Sequence, residues 1–159
     1  MTRSRPAAID ARDAAARTGT SYPDPFKKAV AARSKRALGD VFGLTHYGVN
    51  LVELSPGSWS SQRHWHTHED EFVYVLSGTL TLVTDDGETA LTAGMVAGFP
   101  AGRANGHHFI NRGDTPATYL EIGDRNADDD VHYPDIDLQL VAGDDGERVF
   151  THRDGTPYR

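Results

Sequence analysis

The chain contains no cysteine. Disulfides are excluded, and with them thiolate zinc sites and cysteine nucleophiles. The absence agrees with a reducing compartment, and a cytoplasmic location is the expectation. Excess positive charge is missing too: 16 lysines and arginines stand against 23 aspartates and glutamates, a formal net charge of -7. A broad electrostatic grip on nucleic acid or an anionic membrane needs a basic surface, so neither is an expected partner. No apolar run approaches the ~20 residues that cross a bilayer as a helix. Arg3, Arg5, Arg12 and Arg17 precede no apolar segment of the kind a secretory signal carries, and Asp10 and Asp13 weigh against a transit peptide.

The 159 residues fit one domain and are enough to bury a core without staples. Residues 7–17 are alanine-rich and predict a short helix, marginal because few large apolar side chains are available to bury. Pro23 and Pro25 make 19–25 a loop or extended segment. Residues 26–38 read as a short helix or a docking arm. From about residue 45 short apolar runs alternate with turn signals, the texture of an all-β sandwich or barrel. Candidate strands are 48–54, 61–66, 72–77, 79–84, 88–91, 95–99, 107–111 and 118–122. Asp85-Asp86-Gly87 predicts a hairpin turn. Beyond Gly123 the chain turns polar. Asp128-Asp129-Asp130 reads as a solvated loop and 133–141 as an extended arm over the barrel. The expected organisation is an N-terminal arm at 1–44, a barrel at 45–123 and a C-terminal extension at 124–159. In strand 72–77 both faces are apolar. A small barrel covers one of them, so the other calls for the terminal arms or a second subunit, and a homodimer is expected.

The most informative stretch is His64-Trp65-His66-Thr67-His68-Glu69-Asp70-Glu71. Side chains alternate along a strand, so His64 and His66 share one face. Glu71 follows five residues later, and Gly78 closes the next strand. A second run holds Gly94, Pro100, Gly102, His107 and Asn111. Together these two runs resemble the paired signature of the cupin superfamily. The resemblance implies a double-stranded β-helix, or jelly roll, in which three histidines and a glutamate hold a metal ion. By it His64, His66, Glu71 and His107 are the metal ligands. Four residues separate Gly102 from His107 where the family usually has two, so His108 remains the alternative third histidine. Strand parity relative to Asn111 favours His107.

Other residues carry plainer expectations. His68 reads as a neighbour of the site or as solvated, and Glu69 and Asp70 as exposed loop charges. Trp59 and Trp65 are expected to pack, and Asn111 to hydrogen-bond backbone. His46, His132 and His152 lack partner spacing. Arg103 and Asn105 read first as solvated, with a reach over a pocket mouth as the alternative.

Imidazoles with one carboxylate suit a divalent ion among iron, manganese, nickel, copper and zinc. Four protein ligands on a six-coordinate ion leave neighbouring positions for a chelating molecule. The leading expectation is therefore an enzyme acting on a small oxygen-rich molecule, such as a keto acid, enediol or sugar derivative. The resemblance points to dioxygenase or isomerase chemistry, with Glu71 as a candidate catalytic base. The rival expectation is a non-catalytic binding or sensor protein, since the same barrel serves both. A metal that only adds stability is a third.

Overall fold

The computed structural model describes residues 5–143 and 145–158. Residues 1–4, Arg3 among them, and residues 144 and 159 lie outside the described residues. The strands, in chain order, are β1 (Ala16–Thr18), β2 (Ser34–Ala37), β3 (Tyr47–Leu54), β4 (Trp65–His66), β5 (Glu71–Ser77), β6 (Thr79–Thr84), β7 (Gly87–Thr92), β8 (Val96–Phe99), β9 (His108–Ile110), β10 (Ala117–Asp124), β11 (Val131–Tyr133), β12 (Leu138–Ala142) and β13 (Arg148–Thr151). One short helix, α1 (Leu38–Phe42), precedes β3.

Three antiparallel sheets make a jelly-roll barrel. A six-stranded sheet runs β1-β2-β3-β10-β5-β8, and across the interior lie β13-β12-β11-β4 and β7-β6-β9. Alternation builds the core directly: Val52 and Leu54, Val73 and Val75, and Ala117 and Tyr119 turn inward from β3, β5 and β10 and meet Leu80, Leu91 and Phe109. The Asp85-Asp86 turn joins β6 to β7 as the sequence predicts, with Gly87 at φ +115°. Between β5 and β6 the backbone passes so close to Ala117 that a Cβ on Gly78 would sit 2.8 Å from its Cα, at φ +74°, so only glycine fits.

The terminal segments depart from expectation. No helix forms over 7–17; a single 3-10 turn, Ala11–Asp13, is capped by Asp10 and followed by β1. Alanine propensity without an apolar face does not hold a helix, and pairing with β2 satisfies the backbone instead. In 26–37 the one helical segment is the 3-10 turn Lys28–Val30, set among ordinary turns, and β2 then extends the large sheet at β3. The C-terminal extension is also sheet: β11 pairs with β4, Val131 opposite His66. A second core of Tyr22, Val30, Val131, Tyr133 and Leu138 binds the two terminal segments to each other. Among the described residues no helix is long and apolar enough to cross a membrane.

Candidate metal centre

Three short segments bring the site together. His64 lies in the irregular approach to β4 and His66 ends that strand, so the candidate strand 61–66 shrinks to Trp65–His66. Glu71 opens β5 on the inward side that it shares with Val73 and Val75. His107 immediately precedes β9, and its backbone is cross-linked to that of His64 by a reciprocal pair of hydrogen bonds at 3.1 and 2.8 Å. Two sequence-distant imidazoles are thus fixed side by side by the main chain.

The four side chains converge on one atom. Oε2 of Glu71 lies 3.5 Å from His64 Nε2, 3.5 Å from His66 Nε2 and 2.6 Å from His107 Nε2. Of the adjacent histidines, His107 is the one that faces Glu71. His108 turns away, with its Nδ1 at 3.0 Å from the Ser61 carbonyl and its ring edge-on to Trp59.

The far nitrogens set the tautomers. His64 Nδ1 faces the Gln62 carbonyl at 2.9 Å, and a carbonyl only accepts, so this nitrogen carries the proton. His66 Nδ1 donates to the Asp129 carboxylate at 2.7 Å. With the proton on Nδ1, Nε2 of each ring is the atom left to offer a lone pair to the cluster. His107 is positioned by packing: its ring stacks on Phe99 with centroids 3.5 Å apart.

Burial pushes the Glu71 carboxyl up, but the imidazoles of His107 and His64 outweigh it and hold the group well below its ordinary value. Burial pushes His107 down to about 4 despite Glu71. For His64 burial also acts downward, yet contact with Glu71 wins and raises it. An ionised carboxylate among ring nitrogens is a donor set a divalent cation fits. Glu71 Oε2 supports that fit: it is buried, and its neighbours are three imidazole nitrogens at 2.6 to 3.5 Å whose approach lacks hydrogen-bond geometry. His64, His66 and Glu71 have ligand atoms within 4.8 Å of one another, and His107 joins through Glu71.

Sequence reasoning missed two neighbours. Asp129, read as part of a solvated acidic loop, is fully buried. Its Oδ1 accepts from the backbone N–H of His68 at 2.8 Å and of Glu69 at 3.2 Å, while Oδ2 holds His66. Glu69, read as an exposed loop charge, is half-buried; its Oε1 accepts from Asn126 N at 2.9 Å. Burial raises its carboxyl, with the Asn126 N–H acting in the opposite direction. A glutamate two residues before Glu71 was the available signal, although Glu69 itself lies in the loop that leads into β5.

A cavity of about 420 Å³ opens over the cluster, reached by His66, Glu69, Glu71 and His107. Leu82, Leu91 and Phe99 make its wall apolar, and Trp65 lines it while stacking on His132. The four-residue segment between Gly102 and His107, a two-residue insertion relative to the usual family spacing, places Arg103 on the wall. Asn105 pins that insertion to the β6–β7 turn, accepting from Asp85 N at 2.9 Å and donating to Asp86 Oδ2 at 3.0 Å. Among the described residues Arg103 is the wall's one permanent cation and forms no ion pair. His68 is exposed, against Thr67. Asn111 is buried and donates to the carbonyls of Leu54 and Thr115.

Residues 50–123 match the family model of the cupin domain. The chain is similar to the crystal structure of a sugar phosphate isomerase from a cupin superfamily of Silicibacter pomeroyi, at 43% identity, TM-score 0.89 and 96% coverage of both chains. A protein of Acidithiobacillus ferrooxidans, provisionally assigned as a sugar phosphate isomerase, shares 34% identity at TM-score 0.71, with 81% of each chain covered. A Thermotoga maritima protein described as a predicted oxalate decarboxylase shares the fold at TM-score 0.61 and 19% identity, over 75% of this chain and 99% of that one. No curated protein matches significantly.

Proposed function

This chain belongs to the cupin superfamily, and from that premise we propose that it is a metal-dependent isomerase of a small phosphorylated sugar. The observation that carries the reading is the convergence of three imidazole Nε2 atoms on Glu71 at the base of a cavity whose wall holds one unpaired cation, Arg103. The two similar proteins described as sugar phosphate isomerases favour this chemistry over a dioxygenase.

His64, His66, His107 and Glu71 would hold the ion. Bound there, a divalent ion supplies Lewis-acid polarisation of a carbonyl or hydroxyl oxygen. Arg103 takes the phosphate, for which a forked guanidinium is suited. Interconverting an aldose and a ketose moves a proton between adjacent carbons, so the cavity needs a carboxylate free of the ligand set. Glu71 is enclosed by imidazoles, and we assign the base role to Glu69, which reaches the same cavity. Glu69 takes the proton from one carbon and returns it to the next, while the hydroxyl proton on the first carbon's oxygen passes to the former carbonyl oxygen, which completes the exchange of carbonyl and hydroxyl.

The test is turnover of a panel of aldose and ketose phosphates by metal-loaded protein in deuterated water, followed by NMR. Interconversion with deuterium entering at the carbon next to the carbonyl is expected. Arg103→Ala should raise KM for the phosphorylated sugar by about 10–100-fold, the worth of a charge-assisted contact, and leave the unphosphorylated sugar unaffected. Glu69→Gln should lower kcat by at least about 100-fold with metal content unchanged. Metal-loaded protein that binds a sugar phosphate but never exchanges its protons would overturn the enzyme reading and favour a binding protein.

A further inference from the structure

A second, smaller cavity of about 150 Å³ shares Glu71 and His107 with the large one and adds His64 to its wall. The N-terminal arm, outside the matched family segment, supplies Tyr22, Arg33 and Lys35 to this wall. Lys35 is already neutralised: its Nζ sits 2.7 Å from Glu121, whose Oε1 also accepts from Asn50 at 3.2 Å. Arg33 is not. Its guanidinium donates to two main-chain carbonyls, Ser60 at 2.7 Å and Gly19 at 3.4 Å. Its Nε is buried with no partner among the described residues.

Arg33 is half-buried and forms no ion pair among the described residues; it meets the Glu121 carboxylate of the same wall only through its longer-range field, so drawing this cation from water is incompletely offset, and an unmade bond from a buried donor adds to the cost. Both costs fall if the cavity takes in a negative oxygen. Its volume is that of about five waters, too small for a sugar phosphate and enough for one small oxyanion. We propose that this cavity is a binding site for a small oxyanion, a phosphate or a short carboxylate, held by Arg33 with the hydroxyls of Tyr22 and Ser60. The site is separate from the phosphate anchor assigned to Arg103 and does not depend on it.

The test uses metal-loaded protein and two probes, inorganic phosphate and acetate, read as the shift of Tm with anion concentration. A rise with either probe is expected; the probe giving the larger rise identifies the class of oxyanion. Arg33→Met should abolish the rise, and Arg103→Ala should keep it. A rise that survives Arg33→Met, or one that vanishes in Arg103→Ala, overturns the proposal, as does no rise at all. Should Arg33→Met fail to fold, crystals of the unaltered protein soaked in selenate decide. An anomalous peak within hydrogen-bonding distance of Arg33 supports the site, and an anion-free cavity refutes it.

Discussion

At Asp129 a carboxylate shut off from solvent accepts from His66 and from two backbone N–H groups of the 67–70 loop. Its charge does two things at once: it orders the loop that carries Glu69, and it keeps the proton of His66 on Nδ1. Asp129→Asn would keep the shape and change the donor pattern. The amide nitrogen would face Nδ1, favouring the tautomer with hydrogen on Nε2 and removing that lone pair from the cluster. Metal affinity should fall by about 10–100-fold with the circular dichroism spectrum unchanged, measured by competition with a chelator. Unchanged affinity would show that His66 does not bind through Nε2.

Among the elements, the C-terminal extension behaves as part of the barrel. β11 is the hydrogen-bonded neighbour of β4, and Arg63, just before His64, grips Asp135 through two bonds of 2.7 Å. The Arg63 guanidinium holds the Asp135 carboxyl below its ordinary value. A depressed folded value means that the stabilisation is complete above the unfolded value near pH ~4 and is lost as pH falls below it. Asp135→Asn should therefore lower Tm at neutral pH, with the gap to the unaltered protein narrowing as pH falls below the unfolded value and closing once the depressed folded value is passed. A gap independent of pH would mean that packing, not charge, ties the extension down. This contact also marks what was legible in the sequence. His64, His66 and Glu71 announce themselves because their spacing is local and strand periodicity converts it to a shared face. The hairpin at Asp85-Asp86-Gly87 is equally local. Asp129 is not: three consecutive aspartates read as solvent-exposed, and only the return of β11 against β4 buries the middle one. The arm misled for a related reason. Alanine content reports helix propensity, while β1 and β2 exist because the edge of β3 was available to pair.

For the whole molecule, the outer face of the large sheet is the open question of surface. Phe72, Tyr74 and Leu76 stand 42%, 41% and 43% exposed on β5, with Met95 and Val96 beside them at the edge strand β8. Across β10, Leu120 and Ile122 occupy the same outward register. The terminal segments leave β5 uncovered, and a second copy of this chain is the occupant proposed for it. Light scattering should give twice the mass of one chain, and Tyr74→Glu should return the single mass with metal content intact. A monomer at every concentration would leave the apolar face to another partner.

All of the proposed chemistry rests on one ion at the convergence of β4, β5 and the residue before β9. Metal analysis of purified protein, combined with anomalous scattering from its crystals, tests this most directly. The account predicts close to one divalent ion per chain, bound by Nε2 of His64, His66 and His107 and by Glu71. An ion seated instead among His66, Glu69 and Asp129, the other cluster of ligand atoms among the described residues, would contradict it.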